Sequence, residues 1–481
     1  MAKEDNFIVA IELGSSKVTA LAGRKQPDGA IQVLACAQEP AENFIRKGRI
    51  NNVNKMTQCI TNIKEKLEKK LQKRISHVYV GIGGMGMHTV PNKVLRDFPG
   101  KTIVTSEIIE RMADTNLAAS TPEREILSVI PQEYKLGTQQ LLDPVGVQTE
   151  SIEGHFLNIV ANSSICEDIN NCFRQAGIGI AGMPITVLSL ANAMLSESEK
   201  RSGCVFVDMG AETTSVSVYK NNLLRHMAVI PLGGANINRD ISSLQIEDAE
   251  AERLKLTYGT AYSNPSDEEQ PAIKLEDGRI ISHDELCGLI ESRMEEIIRN
   301  VENQIQLSKY NSSQLIAGIF VTGGAAKMPN IEKAFNEYTN FSKLRTIGKT
   351  RLQARTNIAD FNADGSYNAV LSIIDEAEIN CCGGEIGDNQ NDLFLEQERQ
   401  RQAEEAARKA EEEKAAAEAA EQKRRQEEEQ RRQEEEKERK RAKRNRFFRS
   451  MKEFLNNLVN EEDENKVIQQ SDKKDENEDN K

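Results

Sequence analysis

Apolar residues recur along this chain at two periods, and the change from one period to the other marks out its elements. Over residues 8–21 apolar β-formers flank a short polar turn, Gly14-Ser15-Ser16-Lys17, which predicts strand, tight turn, strand. Residues 204–219 repeat the arrangement: an apolar strand ends in Asp208, Gly210 follows, Thr213 and Thr214 fill the turn, and a β-branched strand leaves. A third apolar run leads into Thr322-Gly323-Gly324-Ala325-Ala326, with Pro329 suited to the first turn of a following helix. Helical spacing governs residues 56–73, where Ile60, Ile63, Leu67 and Leu71 form a core stripe. It returns at residues 167–175, closed by Gly177, and again from Pro184 through Leu188 to Met194. Ser282 with Glu285 reads as a capping box for a long helix carrying Leu286, Leu289, Met294, Ile297, Ile298, Val301 and Ile305.

The turns carry the candidate chemistry. Glycine lets backbone N–H groups approach an anion closely, Ser15 and Ser16 add donors, and Lys17 adds a positive charge, so the first turn suits a phosphate. Glu12 stands where a hydrated Mg²⁺ would need an oxygen ligand. Taken alone, such a turn is equally an ordinary hairpin. Its recurrence far along the chain predicts a duplicated domain with a nucleotide held between the halves. The Gly323-Gly324-Ala325 turn offers a flat surface against which a purine can lie. Two weaker features stay open on the residues alone: Gly233-Gly234 reads as a solvent turn, and Glu252 with Lys255, three apart on one helix face, as a surface ion pair. Residues 77–84 predict a strand entering a Gly-rich turn, a plain hairpin or domain crossing rather than another nucleotide loop.

In this order and spacing the three turns resemble phosphate 1, phosphate 2 and adenosine of the actin, Hsp70 and sugar-kinase superfamily. More narrowly, the chain resembles the FtsA family of bacterial actin-like division proteins. The resemblance rests on residues 11–18, on Val129-Ile130-Pro131-Gln132-Glu133-Tyr134, on Leu224-Arg225-His226, on Val229-Ile230-Pro231, and on residues 321–326, and it spans residues 5–380. It implies an α/β, actin-like (ribonuclease H-like) duplicated two-domain ATPase fold. Subdomain 1A would take residues 1–81 and 165–202 with a return at 359–380, the small insertion 1C 82–164, subdomain 2A 203–227 and 306–358, and subdomain 2B 228–305. It further implies ATP with Mg²⁺, the metal at Glu12 and Asp208. The nucleotide would lie among Gly14, Ser15, Ser16, Lys17, Asp208, Gly210, Thr213, Thr214, Gly233, Gly234, Glu252, Lys255, Gly323, Gly324 and Ala325. The implied partners are further copies of the chain in filaments, the C-terminal peptide of the tubulin-like division protein FtsZ on 2B, and later division proteins on 1C.

One departure from the superfamily pattern matters. Ala211 and Glu212 stand in phosphate 2 where further glycines are common. A side chain at 211 limits close approach, and a carboxylate at 212 pointing inward would repel phosphate, so the expectation is a Glu212 turned away and at most slow hydrolysis. No base for hydrolysis is identifiable from spacing. The net charge of −13 argues against a general nucleic-acid binder. Eight cysteines without a CxxC pair indicate ordinary thiols in a reducing cytoplasm rather than a disulfide framework or zinc site. No apolar stretch is long enough to span a bilayer, and the chain runs directly into its first strand, so it reads as neither secreted nor integral.

After residue 380 the composition changes. Residues 396–446 are dominated by Glu, Arg, Lys, Gln and Ala, without Gly or Pro. Pairs such as Glu404/Arg408, Glu428/Arg432 and Glu436/Lys440 favour a solvated single helix of about 75 Å, with a disordered linker as the alternative. Then Phe447, Phe448, Met451, Phe454, Leu455 and Leu458 form one helical stripe, with Arg446, Arg449 and Lys452 off it. Bulky apolar side chains flanked by cations suit an anionic lipid surface, the alternative being docking onto the protein itself. The position of this helix, residues 443–460 after a linker at 381–442, also matches the membrane-targeting helix of FtsA relatives, and an acidic tail, 461–481, follows. The combined reading is a peripheral protein on the cytoplasmic face of the inner membrane at the division site. A soluble actin-fold ATPase or small-molecule kinase, and an actin-like scaffold for another membrane assembly, are the rivals.

Overall fold

The first two glycine turns each close a hairpin, and each hairpin lies inside a sheet. In the computed structural model, which describes residues 6–119, 123–263, 270–358, 361 and 364–385, these are the two main sheets. The first runs Gly179–Gly182, His77–Gly81, Ile8–Leu13, Lys17–Lys25, Ile31–Pro40 and Ala354–Arg355. The second contains Leu344–Thr346, Gly318–Thr322, Cys204–Met209, Thr214–Lys220 and Leu223–Ile230 in the equivalent order. In both, a central strand is parallel to one neighbour and antiparallel to its hairpin partner. The registers agree as well: Leu13 faces Val18 and Met209 faces Thr214, so residues 14–17 and 210–213 close turns of equal length. A Cβ on Gly14 would lie 2.6 Å from Lys17 O and one on Gly210 3.0 Å from Thr213 O, which is why both turns begin with glycine. The duplication expected from the motifs is therefore present as backbone geometry.

The strand Cys204–Met209 is apolar on both faces because both are covered. Cys204 and Phe206 pack into the first core, Val205, Val207 and Met209 into the second. The helix Thr186–Met194 packs its buried Val187, Leu190 and Ala191 into the first core. The chain returns to that core through Asn368–Glu376, and Cys382–Glu385 pairs with Lys73–Ile75.

The inserted segment folds as His88–Ile103, the helix Ser106–Leu117, Arg124–Leu136, Gln139–Leu141 and Gln148–Asn162 around its own core of Val104, Met112, Tyr134, Leu136, Ile152 and Phe156. In sequence it interrupts the first half, yet its strands extend the second sheet, joined by pairing of His88 with Ala228. The join is reinforced by side chains. Thr89 Oγ1 donates to Met227 O at 3.2 Å and accepts from Met227 N at 2.9 Å. Pro131, which lacks an N–H for the ladder, sits at a register shift opposite His155 and Phe156. Neighbouring Gln132 donates to Leu224 O at 3.1 Å and accepts from Arg225 Nη1 at 3.0 Å. Two stretches singled out separately in the sequence are thus each other's partners.

Several local expectations need correction. The helix expected at 56–73 is Val53–Leu71 and the one expected at 167–175 is Ser164–Gln175. Ser282 caps His283–Leu307 by accepting from Asp284 N rather than through a box with Glu285. In that helix Leu289 is only half-buried and Ile290 takes the core position. Pro329 does not open a helix: Asn330, at φ 60°, intervenes before Ile331–Tyr338, and Pro329 O instead accepts from Ala261 N at 2.9 Å. The left-handed residue breaks the path from the Gly-Gly turn, which continues only as the short 3₁₀ turn Ala325–Lys327. The linker expected from residue 381 starts later, because Cys381 is buried in the first core and Cys382–Glu385 is a paired strand; the rest of the charged linker, the amphipathic helix and the acidic tail fall outside the described residues.

Within the insertion, a Cβ on Gly154 would lie 2.8 Å from the Phe156 ring and 3.0 Å from Met112 Cε. Gly154→Val is expected to destabilise the insertion by about 1–3 kcal/mol through overpacking. Hydrogen exchange on the full chain checks this: faster exchange should be concentrated in residues 88–162, with the strands of the first sheet unchanged.

Candidate functional site

The two turns project from equivalent strand ends. Glu12, opposite Thr19, precedes the first turn as Asp208, opposite Ser215, precedes the second. Parallel pairing of Asp208 with Thr322 brings the third turn to the same sheet edge. There Gly323, at φ +99°, passes so close that a Cβ would meet Asp208 Oδ1 at 2.7 Å. Only glycine fits this approach. Gly324 is exposed, with open space where its Cβ would be. In the first turn Ser15 is half-buried and accepts from Gly48 N at 3.0 Å, Ser16 is exposed, and Lys17 lies close enough to Glu12 to favour its ionised form.

The double glycine at 233–234 meets the second turn directly. Gly234 N donates to Gly210 O at 3.0 Å and Ala235 N to Ala211 O at 2.6 Å, while Gly233 N is taken by Asn236 Oδ1. Thr214 is fully buried and donates to Leu232 O at 2.9 Å. These residues brace the second turn with donors already committed to protein acceptors. On the other side Gly234 faces the third turn and the helix Asp248–Tyr258: a Cβ there would lie 3.4 Å from Ala325 Cβ and 3.7 Å from Lys255 Nζ. Lys255, almost covered, donates to Glu252 Oε2 at 2.6 Å, and Glu252 also accepts from Asn238 Nδ2. Asn238 was missed by sequence reasoning. Its buried Oδ1 has no partner among the described residues, and nothing in an Asn within an amphipathic helix signals that in advance.

Glu212 is buried, with 5% of its surface exposed. It accepts from Lys47 N at 2.6 Å, Arg46 Nη1 at 3.2 Å and Arg239 Nη2 at 2.6 Å. A buried carboxylate holding three donors, two of them cationic, is compensated. Arg46 and Arg239 were not anticipated, although an unexpected acid in a turn is itself a signal that cations must be near.

Glu12 and Asp208 lack such compensation. Burial and the negative charge of Asp208 push the Glu12 carboxyl from its ordinary 4.5 up to about 7, against the pull of Lys17. Burial pushes Asp208 from 3.8 up to about 6. Among the described residues no cluster of three or more His, Cys, Asp or Glu is arranged to hold a metal ion. Two carboxylates beside phosphate turns fit Mg²⁺, which keeps most of its waters and takes few protein ligands.

These features define an actin-like protein with a domain inserted into its first half. A family model described as cell division protein FtsA matches residues 205–371, and one described as the SHS2 domain inserted in FtsA matches residues 84–160. Cell division protein FtsA of Porphyromonas gingivalis is 31% identical over 345 residues, covering 70% of this chain and 72% of that protein. The FtsA of Neisseria meningitidis serogroup B is 30% identical over 348 residues, covering 70% and 83%. That of Escherichia coli K12 is 27% identical over 343 residues, covering 69% and 81%. Among solved structures, a PilM-PilN type IV pilus biogenesis complex aligns with a TM-score of 0.55 at 13% identity, over 76% of this chain and 97% of that one, a likeness of fold. The chain belongs to the FtsA family of cell-division proteins.

Both raised carboxyls take up protons on folding, so their contribution to stability is largest at low pH and is lost as pH rises from the unfolded values near 4 through about 6 to 7. The ligand-free protein should therefore lose stability between about pH 4 and pH 7. Glu12→Gln is expected to flatten that slope and to raise stability at the upper end by on the order of 1–3 kcal/mol, read from urea denaturation at each pH.

Proposed function

We propose that this chain is an ATP-binding filament protein that tethers the ring of the tubulin-like division protein FtsZ to the cytoplasmic face of the inner membrane. The observation that carries the nucleotide part is a pair of turns identical in length and register, one in each main sheet, with the third turn beside the second at one sheet edge and the strand-end acids of the two hairpins, Glu12 and Asp208, close enough to act on each other. In this reading the phosphates lie between residues 14–17 and 210–213, where Gly14, Gly210 and Thr213 supply backbone and Lys17 supplies charge. Glu12 and Asp208 hold the hydrated Mg²⁺, which neutralises phosphate charge when bound. The adenosine lies against Gly323, Gly324 and Ala325, with Glu252 and Lys255 toward the ribose and base. A ribose hydroxyl or the adenine amino group is the kind of donor that the orphan Asn238 Oδ1 lacks. Gly233, Gly234 and Thr214 act by bracing the second turn. With Glu212 engaged elsewhere, the site suits binding and slow turnover.

The tether part rests on sequence. Phe447, Phe448, Met451, Phe454, Leu455 and Leu458 enter the lipid, while Arg446, Arg449 and Lys452 each add about 1 kcal/mol near an anionic surface. One such helix binds reversibly, and assembled subunits present many at once. FtsZ would dock through its C-terminal peptide on residues 228–305, and later division proteins on the insertion.

Lys17→Ala and Asp208→Asn are each expected to weaken Mg-ATP binding at least about tenfold, a loss of roughly 1.4 kcal/mol by calorimetric titration. Unaltered titrations would remove those roles. Flotation with anionic liposomes tests the tether: it should rise with Mg-ATP, and Phe447→Ala with Phe454→Ala should leave the protein in the soluble fraction. Membrane association unchanged by the double substitution would overturn this part.

A further inference from the structure

Behind the phosphate turns lies a cavity of about 540 Å³ lined by Arg46, Lys47, Arg49, Ile50, Asn51, Met85, Asp168, Glu212 and Arg239. Four of these residues are cationic and two anionic, so its wall carries a net positive charge. Arg46 and Arg239 each give one guanidinium nitrogen to Glu212 and remain about half exposed, at 50% and 47% of their side-chain surface. Arg49 gives one to Ser164 Oγ at 2.9 Å. Each guanidinium therefore keeps further N–H donors beyond its protein contact. None of Glu12, Lys17 or Asp208 lines this space.

The cavity nonetheless reports on both turns. Its floor is the short hairpin formed by Ile45–Arg46 and Arg49–Ile50. The hairpin is bonded to the first turn through Gly48 N and Ser15 Oγ, and to the second through Lys47 N and Glu212 Oε2. Lys47, at φ +50°, and Gly48, at φ +72°, make the tight turn that points successive N–H groups at these two acceptors. Gly48 packs against Gly84 so closely that a Cβ would lie 2.5 Å from Gly84 Cα, which fixes the hairpin in place. Here Glu212 orders the arginines, filling one position on each and spacing them around an opening.

We propose that this cavity binds a tetrahedral oxyanion, inorganic phosphate, beside the Glu212 side chain of the second turn and apart from Glu12, Lys17 and Asp208. Guanidinium groups converging from several elements are the chemistry that recognises phosphate oxygens. At about 30 Å³ per water, the volume accommodates the ion with part of its hydration shell. Because the hairpin holds both phosphate turns, an anion on Arg46, Arg49 and Arg239 stabilises the arrangement in which those turns are joined. The ion comes either from solution or from the terminal phosphate of a hydrolysed nucleotide.

Equilibrium dialysis of the full chain against labelled inorganic phosphate tests this, with an ATP titration on the same preparation. The expected result is saturable binding that survives a saturating non-hydrolysable ATP analogue and the Lys17→Ala substitution. Arg49→Gln should weaken it about tenfold or more while leaving Glu212 and ATP binding untouched. Asn51→Asp, which adds a negative charge at the exposed rim, should do the same should Arg49→Gln fail to fold. Single turnover with ATP labelled at the terminal phosphate distinguishes the sources: label retained by the wild type and lost from Arg49→Gln identifies captured product, and binding only from solution identifies free phosphate, either being a phosphate site. A preparation that binds ATP but no phosphate overturns the proposal and leaves the nucleotide reading standing. Phosphate displaced by the analogue, or lost in Lys17→Ala and unaffected by Arg49→Gln, places the ion in the nucleotide turns and overturns it equally.

Discussion

A strand covered on both faces can keep a carboxylate only at its end, where the chain turns out of the core. The strand Cys204–Met209 meets that condition, with alternate residues in two different cores and Asp208 beside the turn. Ile8–Leu13 repeats it with Glu12. Much else follows from these positions. The turns must begin with glycine because the closing carbonyl lies where a Cβ would be, and Gly323 must be glycine because its neighbour is the Asp208 carboxylate itself. Burial in turn raises both carboxyls toward neutrality.

Glu212 shows how a residue that looks unfavourable in a phosphate turn becomes structural. Its carboxylate leaves the turn, meets Arg46, Arg239 and the Lys47 backbone, and ties the second turn to a hairpin that also holds the first. Charge that would oppose phosphate on one side of the backbone instead organises cations on the other. The two turns, far apart in sequence, thus share one mechanical support.

The inserted domain follows similar logic. It has a core of its own around Tyr134 and Phe156, yet its sheet is continuous with the second lobe. Polar groups make the join: Gln132, displaced at the Pro131 register shift, with Leu224 and Arg225, and Thr89 with the Met227 backbone. Such contacts hold register, while apolar packing adds to the attachment: Leu157, Ile159 and Ala161 of the last inserted strand are buried in the first core.

The sequence by itself determined the local elements and the duplication. Strand period, helical period, turn glycines and strand-end acids depend on neighbouring residues, and the two hairpins and the helices Val53–Leu71, Ser164–Gln175, Thr186–Met194 and His283–Leu307 lie where that pattern puts them, within a few residues at their ends, whereas Ser106–Leu117, Gly234–Ser242 and Asn368–Glu376 were not read from it. The FtsA resemblance was also legible, through motifs whose spacing is local to each turn. What only the tertiary structure decided is which distant groups meet. Nothing in the spacing of Glu212 from Arg46 or Arg239 announces their ion pairs, nor that Gln132 reaches Arg225, nor that Gly234, Ala325 and Lys255 close on one another. The direction of the Glu212 side chain, the attachment of the insertion to the second sheet and the cavity behind the turns depend on contacts across more than ninety residues of chain in most cases. Periodicity carries no information at that range, because packing between elements, rather than propensity within them, chooses those partners.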